Sequence, residues 1–104
     1  NVVLFKINQT KVDPYQGVNI YNIAQYLKEN PQFKVRVIGY TDRKTGTSQI
    51  NEKLSAERAQ NVARILINDY NISRDRGVVE WVGDKEPPFD KPEWNRAVIL
   101  YVEQ

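Results

Sequence analysis

The chain has 104 residues, 40% of them hydrophobic and 27% charged, with 15 basic and 13 acidic side chains and a net charge of +2. That length holds one domain with one core, and a charge so small and so interspersed excludes an electrostatic footprint for nucleic acid or an anionic membrane. Cysteine and histidine are both absent, which excludes disulfides, thiolate chemistry, His-dependent triads and His-based metal sites. No apolar run approaches the ~18 residues of a transmembrane helix. The chain opens on Asn1 and enters an apolar run at once, so it is expected to be a fragment or processed product of something longer.

Val2 to Phe5 reads as a short buried strand, β-branched and aromatic without a breaker. Asn8 to Lys11 is a polar loop. Asp13-Pro14 marks a helix start, with Asp as N-cap and Pro at the first helical position. Ile20, Ile23, Ala24 and Leu27 then recur at helical spacing, and Pro31 ends the helix near Glu29 or Asn30. Lys34 to Tyr40 is a strand with Val35 and Val37 on one face and Arg36 and Ile38 on the other.

A polar loop from Thr41 to about Ile50, containing Thr45-Gly46-Thr47, leads to the second helix. Asn51 is the expected N-cap, with Glu52 in the first turn, and the helix runs to about Tyr70. Asn71 is the expected left-handed residue that ends it. Arg74 to Arg76 forms a turn, and Val78 to Val82 is a third strand. Gly83 to Glu93 holds three of the five prolines and is an irregular loop, solvated from Lys85 to Pro88. Arg96 to Val102 is a central strand covered on at least one face.

The order β-α-β-α-β-β predicts an α/β fold. It is a two-layer sandwich in which a mixed four-stranded sheet carries both helices on one face. The first strand-helix-strand unit crosses over right-handedly.

The second helix contains a residue at odds with its face. At 100° per residue from Leu54, the residues Ile65, Val62, Leu66 and Ala59 fall within an arc of about 140°, and Arg58 falls inside it at about 40°. Glu57, Gln60 and Arg64 lie opposite. A guanidinium turned toward a sheet needs an acidic partner or water. Asp42, where the chain leaves the second strand, is the nearest one, and strand-end loops are where α/β folds place ligand sites.

Two readings of this pair stand side by side. In one, Asp42 and Arg58 form a structural salt bridge, as most partly buried Arg–Asp pairs do. In the other they clamp a zwitterion such as an amino-acid head group, Asp42 taking an ammonium and Arg58 a carboxylate. Each charged hydrogen bond contributes about 1.5–3 kcal/mol, so affinity would be modest and helped by avidity.

The stretch from Gly39 to Leu66, GYTDRKTGTSQINEKLSAERAQNVARIL, resembles the central signature of the OmpA-like C-terminal domain family. A strand ending in Gly39, Thr41 and Asp42 is followed by a polar loop and a helix start with Asn51, Leu54-Ser55 and Arg58-Ala59. Phe5 to Val12 looks like the family's opening strand and loop, and Asn95-Arg96 like its closing pair. The resemblance covers essentially the whole chain, 1–104, as one such domain.

The resemblance implies a periplasmic module without catalytic residues, cofactor or metal. Its partner would be the diaminopimelate of a peptidoglycan stem peptide. Such a module would anchor the outer membrane to the cell wall through a preceding barrel or lipid anchor. Carried over by position, Asp42 binds the ammonium and Arg58 the carboxylate. Thr41, Asn51 and Leu54 line the pocket, and Asn8 and Arg96 add polar contacts. Two departures are visible. The loop after Asp42 is one residue longer than in the commonest members and carries Arg43 and Lys44. Ala97 replaces the second arginine of a closing Asn-Arg-Arg.

A protein-interaction module of the same fold is the alternative. Catalysis by paired carboxylates is disfavoured, because Asp42 has only Glu52 and the outward Glu57 near it in sequence. Trp81, Trp94 and the tyrosines are assigned to core or rim packing. Oligomeric state is not legible in the sequence.

Overall fold

Alternation in Lys34-Val-Arg-Val-Ile-Gly builds the strand around which the fold is organised. A computed structural model describes residues 1–44 and 46–104, so the Thr45 part of the expected polar loop lies outside the described residues. The elements are β1 (Val2–Leu4), α1 (Gly17–Glu29), β2 (Lys34–Gly39), α2 (Ser48–Asn68), β3 (Gly77–Trp81) and β4 (Ala97–Glu103). The sheet order is β1-β4-β2-β3. The last strand thus lies between the first two, antiparallel to both, and β3 pairs with β2 in parallel. This is the mixed four-stranded α/β sheet expected from the sequence.

Both helices cover one face. Val3, Val35, Val37, Val98 and Leu100 of the strands pack there with Ile20, Ala24 and Leu27 of α1 and Ala59, Val62 and Leu66 of α2. The opposite face is shielded by the loop after β3, where Phe89 and Val82 pack on Ile38, Tyr40 and Ile99. Asn95 fixes that loop: its amide accepts from the Phe89 N–H at 2.8 Å and donates to the Phe89 carbonyl at 2.9 Å. Trp81 and Trp94 are both partly exposed, and Trp94 meets Phe89 edge-on, as rim packing.

Helix boundaries follow local chemistry, with one correction. Asp13 caps a single 3-10 turn, Pro14–Gln16, which leads into α1 at Gly17. The α2 N-cap is Thr47, whose hydroxyl accepts from the Ile50 N–H, and not Asn51. Ser48 to Ile50 are solvent-facing, so they lie outside the apolar stripe that dates a helix from sequence. Glu52 accordingly sits beyond the first turn. Asn71 has φ 59, the left-handed conformation expected, and the chain turns back so that the Ile72 amide bonds the Leu66 carbonyl.

Candidate functional site

The site forms where β2 ends beneath the start of α2. The two elements touch through Gly39: a Cβ there would lie 2.0 Å from the Ser55 carbonyl oxygen. Only glycine allows that approach. It brings the buried stripe Asn51, Ser55, Arg58, Ala59 and Val62 of α2 over the chain as it leaves the strand. Ser55 stitches the other side, its hydroxyl donating to the Glu52 carbonyl and accepting from the Gly83 N–H at 3.0 Å.

Arg58 is 1% exposed, the largest fully buried side chain of the described residues. Its guanidinium donates to three backbone carbonyls, from Nε to Gln9 at 2.8 Å, from Nη1 to Tyr40 at 3.1 Å and from Nη2 to Lys6 at 3.2 Å. It also lies 5.2 Å from the centre of the Phe5 ring. Burial, and next the charge of Arg96, lower its pKa to about 10, while Asp42 acts against that shift. Arg58 therefore fastens the turn after β1 onto the end of β2.

Asp42 is also 1% exposed. One carboxylate oxygen accepts from the Lys44 N–H at 2.9 Å and the other pairs with Arg96 Nη1 at 3.4 Å. The salt bridge expected between Asp42 and Arg58 is made by Arg96 instead, while Arg58 donates to backbone carbonyls. Arg96 reaches from just before β4 and also donates from Nε to the Phe5 carbonyl. Two guanidinium groups and one carboxylate give the cluster an excess positive charge in a low-dielectric place.

Asn51 joins the cluster from one turn inside α2. Its Nδ2 donates to the Asp42 carbonyl at 3.2 Å and to the Asp84 carboxylate at 3.1 Å. Gly46, at φ +73, packs against its other side: a Cβ there would meet Asn51 Oδ1 at 2.6 Å. Thr41 is 2% exposed, donates its N–H to the Gly83 carbonyl, and holds a buried hydroxyl with no hydrogen-bond partner among the described residues.

The structure therefore gathers Thr41, Asp42, Asn51, Arg58 and Arg96. Asn8 stands apart on the surface, at φ 59 in the turn whose Lys6 and Gln9 carbonyls Arg58 holds. Leu54 is half-buried on α2, one turn beyond Asn51. Sequence reasoning missed Asp84 and Arg43. Arg43 donates to the Asp84 and Lys85 carbonyls at 2.8 and 2.9 Å, which ties the longer loop to the loop after β3. Nothing in their spacing signals this, since they lie 41 and 42 residues from their partners.

Beside the cluster runs an open groove of about 1000 Å³ between the β1–α1 turn and the 3-10 turn Pro92–Trp94, with Arg96 in its wall. Among the described residues no group of three or more His, Cys, Asp or Glu is placed to hold a metal ion.

The model of the OmpA family matches residues 4–99. Over 96% of its length the chain is 45% identical to Outer membrane protein 40 of Porphyromonas gingivalis, and it spans 26% of that protein. Of solved structures, the peptidoglycan-associated lipoprotein from Burkholderia pseudomallei is 28% identical with a TM-score of 0.86, covering 98% of this chain and 89% of that one. The cell wall anchor of the T6SS from Pseudomonas aeruginosa is also 28% identical, with a TM-score of 0.74 over 95% of this chain and 73% of that one. With the family model matched over residues 4–99 and 45% identity to the Porphyromonas protein across nearly its whole length, the chain belongs to the OmpA family.

Proposed function

We propose that residues 1–104 form a single, non-catalytic module that binds peptidoglycan. The bound group is the diaminopimelate of the stem peptide. The module acts in the periplasm and ties an outer membrane to the cell wall through a barrel or lipid anchor elsewhere in a longer protein. The names of the two structural relatives support a cell-wall partner, and the outer-membrane relative, of which this chain spans 26%, supports the location.

One observation carries the reading: a carboxylate flanked by two arginines, with positive charge in excess, at the end of β2. A free amino-acid end brings an ammonium for Asp42 and a carboxylate that offsets the excess charge. Arg58 spends one N–H on each terminal nitrogen, leaving one on each among the described residues. Such a pair suits a carboxylate bidentately. Asp42 and Arg58 are 1% exposed while the Arg96 side chain is 18% exposed, so Arg96 is the member of the cluster that an entering ligand meets first. Thr41, Asn51 and Leu54 frame the pocket, and Asn8 shapes the turn at its edge.

The test is a titration of the chain with the stem tripeptide ending in diaminopimelate, followed by NMR. Saturable shifts around Asp42, Arg58 and Arg96 are expected, lost in Asp42→Asn, and weaker with a lysine-ended tripeptide that lacks the second carboxylate. Absence of shifts at saturating ligand, or equal binding by Asp42→Asn, would overturn the proposal. No turnover of muropeptides by the pure protein is expected.

A further inference from the structure

Asp42 is held from outside the cluster as well as from within it. The turn after β3 is closed by the Lys85 N–H, which donates to the Val82 carbonyl at 3.2 Å. Gly83 inside it has φ +60 and lies so near α2 that a Cβ would approach the Glu52 backbone at 3.2 Å. Its N–H donates to the Ser55 hydroxyl, which fastens the turn to the helix.

Both neighbours of Asp42 are bonded to this one turn. Thr41 donates its N–H to the Gly83 carbonyl at 2.9 Å. Arg43 donates from Nε to the Asp84 carbonyl and from Nη2 to the Lys85 carbonyl. A third tie reaches Asp42 itself. The Asp84 carboxylate accepts from Asn51 Nδ2, and the same amide donates to the Asp42 carbonyl.

The fold gains little from the outer part of this network. Arg43 is exposed and Asp84 half-buried, so water can satisfy the groups that either one releases when removed. The ties instead fix the backbone that aims a buried carboxylate. An acid already pointed at its ligand loses little freedom on binding. We propose that Asp84 and Arg43 are positioning residues of the Asp42 site, holding its carboxylate in the ligand-binding direction without touching the ligand. This rests on the cell-wall reading above and adds to it a lock supplied by the turn after β3. Asp84 acts through its hydrogen bond to Asn51 and not through its charge, so an amide in its place serves equally.

The experiment measures, by calorimetry, the affinity of wild-type protein, Asp84→Ala, Asp84→Asn and Arg43→Ala for the stem tripeptide ending in diaminopimelate. Each alanine variant binds about three- to tenfold more weakly, the range of one hydrogen bond, while its thermal unfolding stays close to that of wild type. Asp84→Asn, whose amide oxygen still accepts from Asn51, binds as wild type does. The double variant of Arg43→Ala and Asp84→Ala loses less than the product of the two single losses, because both act on one turn. Wild-type affinity in both alanine variants overturns the lock and leaves the peptide site standing. So does a loss in Asp84→Asn equal to that in Asp84→Ala, which makes Asp84 a charge partner of the ligand, and so does a loss that tracks a fall in Tm in both alanine variants. Failure of wild-type protein to bind the tripeptide overturns the peptide site and the lock together.

Discussion

Arg96 and Asp42 meet at 3.4 Å, yet they belong to different surroundings: the carboxylate is 1% exposed and the arginine side chain 18%. The pair joins a sealed interior to an open groove. Arg96→Ala leaves the buried carboxylate short of a charged partner and is expected to destabilise the fold by about 2 kcal/mol. It also weakens tripeptide binding. Urea unfolding and calorimetry on one preparation check both effects.

Arg58 is expected to be structural as well as ligand-facing. Arg58→Ala orphans the Lys6, Gln9 and Tyr40 carbonyls together. A loss of about 3 kcal/mol follows, and a fall in Tm of about 12 °C or more. Arg58→Lys recovers only part, because one ammonium cannot reach the planar fan of acceptors that a guanidinium spans. Thermal unfolding followed by circular dichroism separates the three proteins.

Two glycines carry unequal penalties. Gly39→Ala drives a methyl group into the Ser55 carbonyl, a backbone atom that cannot turn aside, and is expected to cost about 3 kcal/mol or more. Gly46→Ala combines a left-handed backbone with a 2.6 Å approach to the buried Asn51 amide, the end of a side chain rather than backbone. Its cost is smaller, about 1–2 kcal/mol, and it shows as altered amide shifts at Asn51.

The cap of α2 can be located by substitution. Thr47→Ala is expected to destabilise by about 1 kcal/mol through loss of the bond from Ile50. Asn51→Ala acts differently, freeing the Asp42 carbonyl and the Asp84 carboxylate from one another. It lowers ligand affinity, which Thr47→Ala does not, and the two readouts together tell cap from bridge.

Tyr40 provides an alkaline signature. Burial, and then the neighbouring Tyr101, raise its pKa from 10.0 to about 12. The folded state holds that proton where the unfolded state has lost it, so the contribution is whole below pH 10 and is lost as pH climbs toward about 12. Ultraviolet titration of tyrosinate is expected to show a late step from this phenol. Tyr40→Phe removes the late step.

The regular parts of the fold were legible wherever periodicity records burial. The alternation of Val35 and Val37 against Arg36 and Ile38 reports the two faces of β2, and the spacing of Arg58 within the α2 stripe reports its burial. Two readings went astray for physical reasons. Asn51 has the chemistry of a cap but serves from inside the helix, because Ser48, Gln49 and Ile50 before it face solvent and fall outside the buried stripe. Asp42 finds Arg96 at a separation of 54 residues, and pairing at that distance depends on which strand β4 joins. The link from Arg43 to the loop after β3 has the same origin.

The position of β4 between β1 and β2 has a consequence for how the polypeptide matures. Until residues 97–103 emerge from a ribosome or translocon, β1 has no neighbour to pair with and β2 has only β3. Val3 and Val35 then wait as unzipped edges, open to the wrong neighbours. A nascent chain stalled before Ala97 should therefore be protease-sensitive throughout, and a few more residues should convert it to a resistant form in a single step.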